Sequence, residues 1–213
     1  MNELPPAQHN AIVTPKLSTD PRAARTRAAI FAGVERLMSS RASRVTVQDV
    51  VRSAGISRSS FYLHFSGLED LALAYLSQQI DIIGEAGIGV RRDDLITGAT
   101  AARIGYDRLI THVVEHFPLY SAVLESSSSH GAFQAAIDTY SRRLLKSVLS
   151  LDVVPSSANA EIAVAYVAGG ALTVISSWLR GDLDVDDDDL VQQLVDLLPT
   201  WVRESHGEER ERT

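Results

Sequence analysis

The chain of 213 residues contains no cysteine, which excludes disulfides, thiolate metal sites and a cysteine nucleophile, and which suits a reducing compartment such as the cytoplasm. Nor does its first stretch read as a secretory leader. Residues 1–20 mix Pro, Asn and Thr, without a basic region followed by an apolar core of about 7 to 15 residues, so they are expected to form a flexible arm. A clean bilayer span is missing too. The longest uncharged apolar run lies between Glu161 and Arg180 and carries Tyr, Thr, Ser and two Gly, which predicts a buried helix instead. No long tract of biased composition interrupts the chain, and with 45% hydrophobic and 22% charged residues it reads as globular. The length suits one compact unit, or a small head joined to a larger body.

The formal net charge of −7 argues against indiscriminate nucleic-acid binding, but the charge is unevenly spread. Between Asp20 and Ser66 eight Arg (22, 25, 27, 36, 41, 44, 52, 58) face only Asp20, Glu35 and Asp49. From Gly67 to Thr213 acidic residues outnumber basic ones by twenty-three to eleven. A basic head precedes an acidic body.

In the head, Asp20-Pro21 supplies an N-cap and N1 pair, and Ile30, Phe31, Val34, Leu37 and Met38 form one helical stripe. A short second helix is expected from Thr46, whose pairing with Asp49 has the form of a capping box, with Val47, Val50, Val51 and Ala54 on its inner face. Ala54-Gly55-Ile56-Ser57 then offers a small packing residue, a Gly able to take positive φ, an apolar plug and a new N-cap. This is the pattern of a helix-turn-helix. In the third helix Phe61 and Phe65 are spaced to face inward, which leaves Ser57, Arg58, Ser59, Ser60, Tyr62 and His64 on the outer surface. Arg offers a fork to guanine or phosphate, and hydroxyls and helix N-terminal N–H groups suit phosphate oxygens.

The segment Thr46 to Leu71, TVQDVVRSAGISRSSFYLHFSGLEDL, resembles the DNA-binding domain of TetR-family regulators. The spacing of Phe61, Tyr62, His64 and Phe65 is its most specific part, and with the first helix the resemblance covers roughly residues 22–76. It implies that Tyr62 and His64 contact phosphates, that Thr46 lies near the DNA backbone, and that Arg58 to Ser60 reach bases. The chain departs from many relatives by having Arg41 where a Gly follows the first helix, and Leu68 where a phosphate-binding Lys opens the fourth. Arg22, Arg25 and Arg27 are candidates to replace that lost contact.

The resemblance implies an all-α fold, with a three-helix DNA-binding head and a larger helical body for ligand binding and dimerisation. The expected division is 1–20 arm, 21–67 head, 68–204 body and 205–213 charged tail. Leu68, Leu71, Ala72, Tyr75 and Leu76 open a fourth helix expected to reach about Glu85, where Gly84, Gly87 and Gly89 predict a break before a loop at Arg91 to Asp94. Further helices are expected over Leu95–Phe117, Pro118–Glu125, Ala132–Leu151 and Ala160–Leu179, with Ser126 to Gly131 as a flexible connector. A last helix begins at the acids Asp186 to Asp189 and places Leu190, Leu194, Leu197, Leu198, Trp201 and Val202 inside.

The run Ala160–Leu179 is apolar nearly all round, so one side is expected against the core and the other against a second subunit. The last two helices resemble the pair that forms the dimer interface in TetR relatives, with Gly170, Val174, Trp178, Leu194 and Leu198 as candidates. Two-fold symmetry also suits a palindromic operator, whose successive major grooves lie about 34 to 36 Å apart. By the same resemblance a small, largely apolar effector enters the body and releases a repressor from DNA. Tyr106, Phe117, Tyr120, Phe133, Tyr140 and Tyr166 are the candidate aromatic edges of its pocket, each also readable as ordinary core.

Catalytic and metal readings are weaker. His112, Glu115 and His116 stand in the order H-x-x-E-H of a zinc-protease motif, but a match of five residues is cheap and a basic head has no task in a protease. The Asp run 182, 184 and 186–189 lacks the Gly and Glu of a calcium loop and reads as a solvated helix cap. No catalytic residue, metal or cofactor is expected. The expected partners are double-stranded operator DNA, a small effector and a second copy of the chain, with no membrane. A head that binds protein instead would differ in salt dependence, because DNA binding weakens steeply as salt rises.

Overall fold

The structure, a computed structural model, describes residues 21–40, 43–91, 96–124, 129–149 and 154–205. These form ten helices and, among the described residues, no strand.

The head contains α1 (Pro21–Ser39), α2 (Val47–Ala54) and α3 (Arg58–Tyr62). Helix α1 buries Ile30, Gly33 and Val34, and it lies against α2 so closely that a Cβ on Gly33 would sit 2.9 Å from the backbone N of Ala54. Ser53 Oγ donates to the Gly33 carbonyl at 2.9 Å, fastening the same crossing. The expected caps of α2 form, while Asp20, expected to cap α1, lies outside the described residues. Asp49 N–H donates to Thr46 Oγ1 and Thr46 N–H to the Asp49 carboxylate, each at 3.2 Å, and Gly55 takes φ 68° to end α2. Phe31 stands between two rings, Phe65 at 6.0 Å and Tyr75 at 5.4 Å edge-on, so the head core runs directly into the body.

The body begins with α4 (Leu68–Arg91), followed by α5 (Gly98–Glu115), α6 (Phe117–Leu124) and α7 (Ser129–Leu149), then α8 (Ala160–Leu179), α9 (Asp187–Asp196) and α10 (Thr200–Arg203). Helix α4 packs against α5, α6 and α7, while α8 covers α7 and α9 covers α5. The glycines expected to break α4 do not. At Gly84 the reason is packing: a Cβ there would collide with the Arg143 side chain from α7, so the missing side chain seats a buried guanidinium instead of ending the helix. Of the loop expected at Arg91 to Asp94, Arg91 closes α4 and the remainder lies outside the described residues.

Two other expectations change. Ser129, His130 and Gly131 belong to the first turn of α7 rather than to a connector. The last helix is two, because Pro199 has no N–H to continue α9 and stands instead at the N-cap of α10. At that break Leu197 is turned out to solvent, although the spacing placed it inside, while Leu190, Leu194, Leu198 and Val202 are buried.

Candidate functional site

The α2–α3 unit presents the expected polar surface. Ser57 caps α3 by accepting from Ser60 N–H at 3.1 Å, and its hydroxyl pairs with that of Ser59 at 2.9 Å. Arg58 donates to the Tyr62 hydroxyl at 3.3 Å and its guanidinium lies 5.7 Å from the centre of the Tyr62 ring. Beneath them Phe61 and Phe65 are fully buried, which fixes α3 by its inner face and leaves the outer one free of packing. Thr46, Ser57, Arg58, Ser59 and Tyr62 are exposed, and Ser60 and His64 are half-buried. Leu63, which the polar reading passed over, is 82% exposed at the end of α3 and belongs to the same face. Its apolar type gave no reason to place it outside. Of the basic residues on α1, Arg27 sits 4.7 Å over the Phe65 ring, so its charge is held against the back of the reading unit.

A second site lies inside the body. Helices α4 to α8 line a partly open cavity of about 80 Å³, walled by Leu73 and Leu76, Leu109 and Val113, Tyr120 and Leu124, Ala136, and Leu172, Ile175 and Ser176. Among the described residues no charged side chain lines it. Of the aromatic candidates whose side chains are described, Tyr120 alone is in this wall. Tyr106 and Tyr140 are hydrogen-bonded to each other instead, and burial pushes both phenols up. Phe117 is 39% exposed and Tyr166 76% exposed, both on outer surfaces, and the Phe133 side chain lies outside the described residues. The lining is mostly aliphatic, and nothing in a helical stripe separates an aliphatic residue beside a void from one in packed core.

Beside the cavity wall, a polar chain crosses from body to head. Tyr120 OH is 2.8 Å from His112 Nε2, the His112 and His116 rings stack at 4.1 Å, and His116 Nε2 stands 3.2 Å from Tyr75 OH and 3.6 Å from Glu35 Oε2. Tyr75 also donates to Glu35 on α1. Burial, then the neighbouring His116, lowers the His112 pKa to about 4. In the H-x-x-E-H segment, His112 Nε2 is engaged with Tyr120, and His116 with Tyr75, Glu35 and the His112 carbonyl; no group of three metal-ligating side chains occurs among the described residues. His130, the third histidine of the body, has a side chain outside the described residues. Asp186 caps α9 by accepting from Asp189 N–H at 2.8 Å, as a solvated cap would.

The candidate dimer residues divide. Gly170 is exposed on α8, Val174 is half-buried, and Trp178 is half-buried with its indole N–H donating to the Val185 carbonyl at 2.8 Å. Leu194 and Leu198 are instead committed to the core of the chain itself, because the apolar stripe of α9 faces α5. The outward apolar residues are Ile162 and Tyr166 on α8 and Leu197 after α9. Helix α8 is long and apolar enough to cross a membrane by length and composition alone, but its Val164, Ala168, Ala171, Leu172 and Ile175 are buried against the body.

Comparison with known proteins agrees with this geometry. The family described as bacterial regulatory proteins, tetR family, matches residues 30–75. An uncharacterised HTH-type transcriptional regulator of Haemophilus influenzae is 28% identical over 101 residues, covering 44% of this chain and 46% of that protein. The chain thus matches about half the length of this curated relative. Among solved structures, the TetR family repressor AlkX of Dietzia sp., implicated in biodegradation of n-alkanes, superposes with a TM-score of 0.53 at 23% identity over 80% of this chain and 91% of its own. Thermus thermophilus FadR, a TetR family repressor solved with lauroyl-CoA, gives 0.59 at 17% identity over 80% and 92%. RolR, solved with resorcinol, gives 0.54 at 14% over 83% and 89%. Residues 30–75 therefore match the tetR-family model, and the chain as a whole has the fold seen in these solved TetR-family repressors.

Proposed function

We propose that the chain is a ligand-responsive transcriptional repressor that binds palindromic operator DNA as a homodimer and is released by a small, largely apolar molecule. The observation that carries this reading is the α2–turn–α3 unit, capped at the start of both helices, with Thr46, Ser57, Arg58, Ser59 and Tyr62 exposed and Ser60 and His64 half-buried beside them. Arg58 and the serines approach base edges, Tyr62 and His64 hold phosphates, and Leu63 offers apolar contact of the kind a thymine methyl accepts. The arm, head, body and tail divide at residues 20, 67 and 204.

The effector occupies the cavity between α4 and α8. The aliphatic, uncharged lining formed by the described residues favours a hydrocarbon or aromatic body over an ion, since burying an unpaired charge is costly. Solved proteins of this fold hold lauroyl-CoA and resorcinol, which fits a body adaptable to apolar and aromatic groups. The second copy covers the outward face of α8, where Ile162, Tyr166 and Gly170 line up at helical spacing, together with Leu197. This assignment also disposes of the apolar face without a membrane. The protein acts in the cytoplasm, has no cofactor and is not an enzyme.

Selection of random-sequence duplex DNA by the purified protein tests this reading. An enriched palindrome that is lost with Arg58→Ala and Tyr62→Ala, and weakened by raised salt, is the expected result. A folded protein that enriches no sequence would refute it.

A further inference from the structure

Five polar side chains from four helices connect the head to the cavity wall: Glu35 from α1, Tyr75 from α4, His112 and His116 from α5, and Tyr120 from α6. Their hydrogens can be counted. His116 Nδ1 lies 2.8 Å from the backbone carbonyl of His112, and a carbonyl only accepts, so Nδ1 carries a hydrogen. Nε2 of the same ring faces the Tyr75 hydroxyl and the Glu35 carboxylate. Tyr75 has a single hydrogen, and it is directed to Glu35. A neutral His116 would then aim the Nε2 lone pair at two oxygens with no hydrogen between them, in a side chain that is 95% buried from solvent. Turning the Tyr75 hydrogen toward Nε2 moves the deficit to the Tyr75–Glu35 contact without removing it. A proton on Nε2 places an N–H against the Tyr75 oxygen, leaves the Tyr75 hydrogen on Glu35, and sets a charged ring opposite the Glu35 carboxylate.

We propose that His116 is held as an imidazolium whose Nε2–H donates to Tyr75 and faces the Glu35 carboxylate as its counter-ion, so that one proton taken from solvent latches the DNA-binding head to the body. No covalent bond changes beyond that protonation. The groups that face His116 are Glu35, Tyr75 and the stacked His112, with Tyr120 behind. Glu35 supplies the counter-charge, burial keeps the two phenols neutral, and His112 stays neutral beside the charged ring. Because Tyr120 both lines the cavity and bonds His112, an occupant that displaces it acts on the stack from the side opposite the head. The link to DNA affinity rests on the function proposed above; the position of the proton does not.

Two measurements on the full chain test the latch. In ¹⁵N spectra of the imidazoles at about pH 7.5, above the usual histidine value of about 6.5, His116 is expected to carry hydrogens on both nitrogens, and to lose the one on Nε2 in Glu35→Gln. An unprotonated Nε2 in the wild type overturns the proposal. Operator affinity is then followed from about pH 6 to 8.5 in the wild type and in His116→Gln, where the contribution of His64 is common to both and cancels. The ratio of the two affinities is expected to change with pH by up to about tenfold per unit, the limit for one linked proton. Superimposable profiles overturn the latch. Should His116→Gln fail to fold, Glu35→Gln, at an exposed carboxylate, carries the same comparison. If no duplex binds at any pH, the DNA reading has failed, and the imidazole spectra alone decide the latch.

Discussion

The rings of His112 and His116 stack 4.1 Å apart with their planes 28° from parallel, so a charge on one ring opposes a charge on the other. His112 is the ring kept neutral, its pKa lowered to about 4 by burial and by His116. In the unfolded chain it would titrate near the ordinary value of about 6.5. The unfolded state therefore takes up a proton that the folded state resists, and stability is lost as pH falls from about 6.5 to 4. Discounted for solvent screening at a partly exposed ring, the loss is on the order of 1–2 kcal/mol. Urea denaturation at pH 7 and pH 4.5 is expected to show this loss in the wild type and a smaller one in His112→Gln.

Two glycines predict changes of opposite sign. Gly33→Ala puts a methyl group against the Ala54 backbone, which cannot yield as a side-chain end would, and a loss of about 1–3 kcal/mol is expected. Gly105 lies inside α5 with open space where its Cβ would be, so Gly105→Ala gains about 0.5–1 kcal/mol by helix propensity. Chemical denaturation of both variants reads the difference directly.

On selected operator DNA, Arg58→Ala is expected to cost about 1–3 kcal/mol and to relax preference at the bases it reaches. Tyr62→Phe removes one hydroxyl and should weaken all sequences alike by about 1 kcal/mol. Fluorescence anisotropy titrations at two salt concentrations separate the two patterns. A uniform loss in both variants would deny Arg58 a role in base choice.

Filling the cavity should uncouple release from binding. Ala136→Phe projects a ring from α7 into space now bounded by Leu76, Leu109 and Leu172. Operator affinity is expected to stay within about threefold of wild type, while effectors that release the wild type lose at least about tenfold in potency. Overpacking would show as a lower thermal midpoint, which the same samples report.

Placing a charge on the outward face of α8 tests the proposed subunit contact. Tyr166→Asp leaves the core of one chain untouched, because Tyr166 is exposed, and should raise the dimer dissociation constant by at least about tenfold. Sedimentation across a concentration series measures it. An unchanged assembly would mean that this face is not the one paired.

What was legible in the sequence was local. Thr46 with Asp49, Gly55 and Ser57 declare caps and a turn through residues no more than four apart, so the head could be read almost completely, including the outer face of α3. What depends on distant partners was not legible. Gly84 looks like a breaker until Arg143 from α7 is seen beside it, and Leu194 looks like an interface residue until α9 is found lying on α5. The cavity walls are the extreme case, since Leu76 and Ala136 are ordinary stripe residues whose special position comes only from a void that five helices fail to fill. Glu35 and His116, in contact across the head–body boundary, are 81 positions apart and carry no shared spacing signal.

Phe31, held between Phe65 and Tyr75, also limits how the head can move on α4. A ring clasped on two sides behaves as the ball of a joint: sliding would open one contact or the other, whereas pivoting keeps both. Any swing of the head would then describe an arc centred near Phe31. A small tilt there would be magnified at α3, and in a symmetric pair the gap between the two reading helices would change by twice the displacement of each.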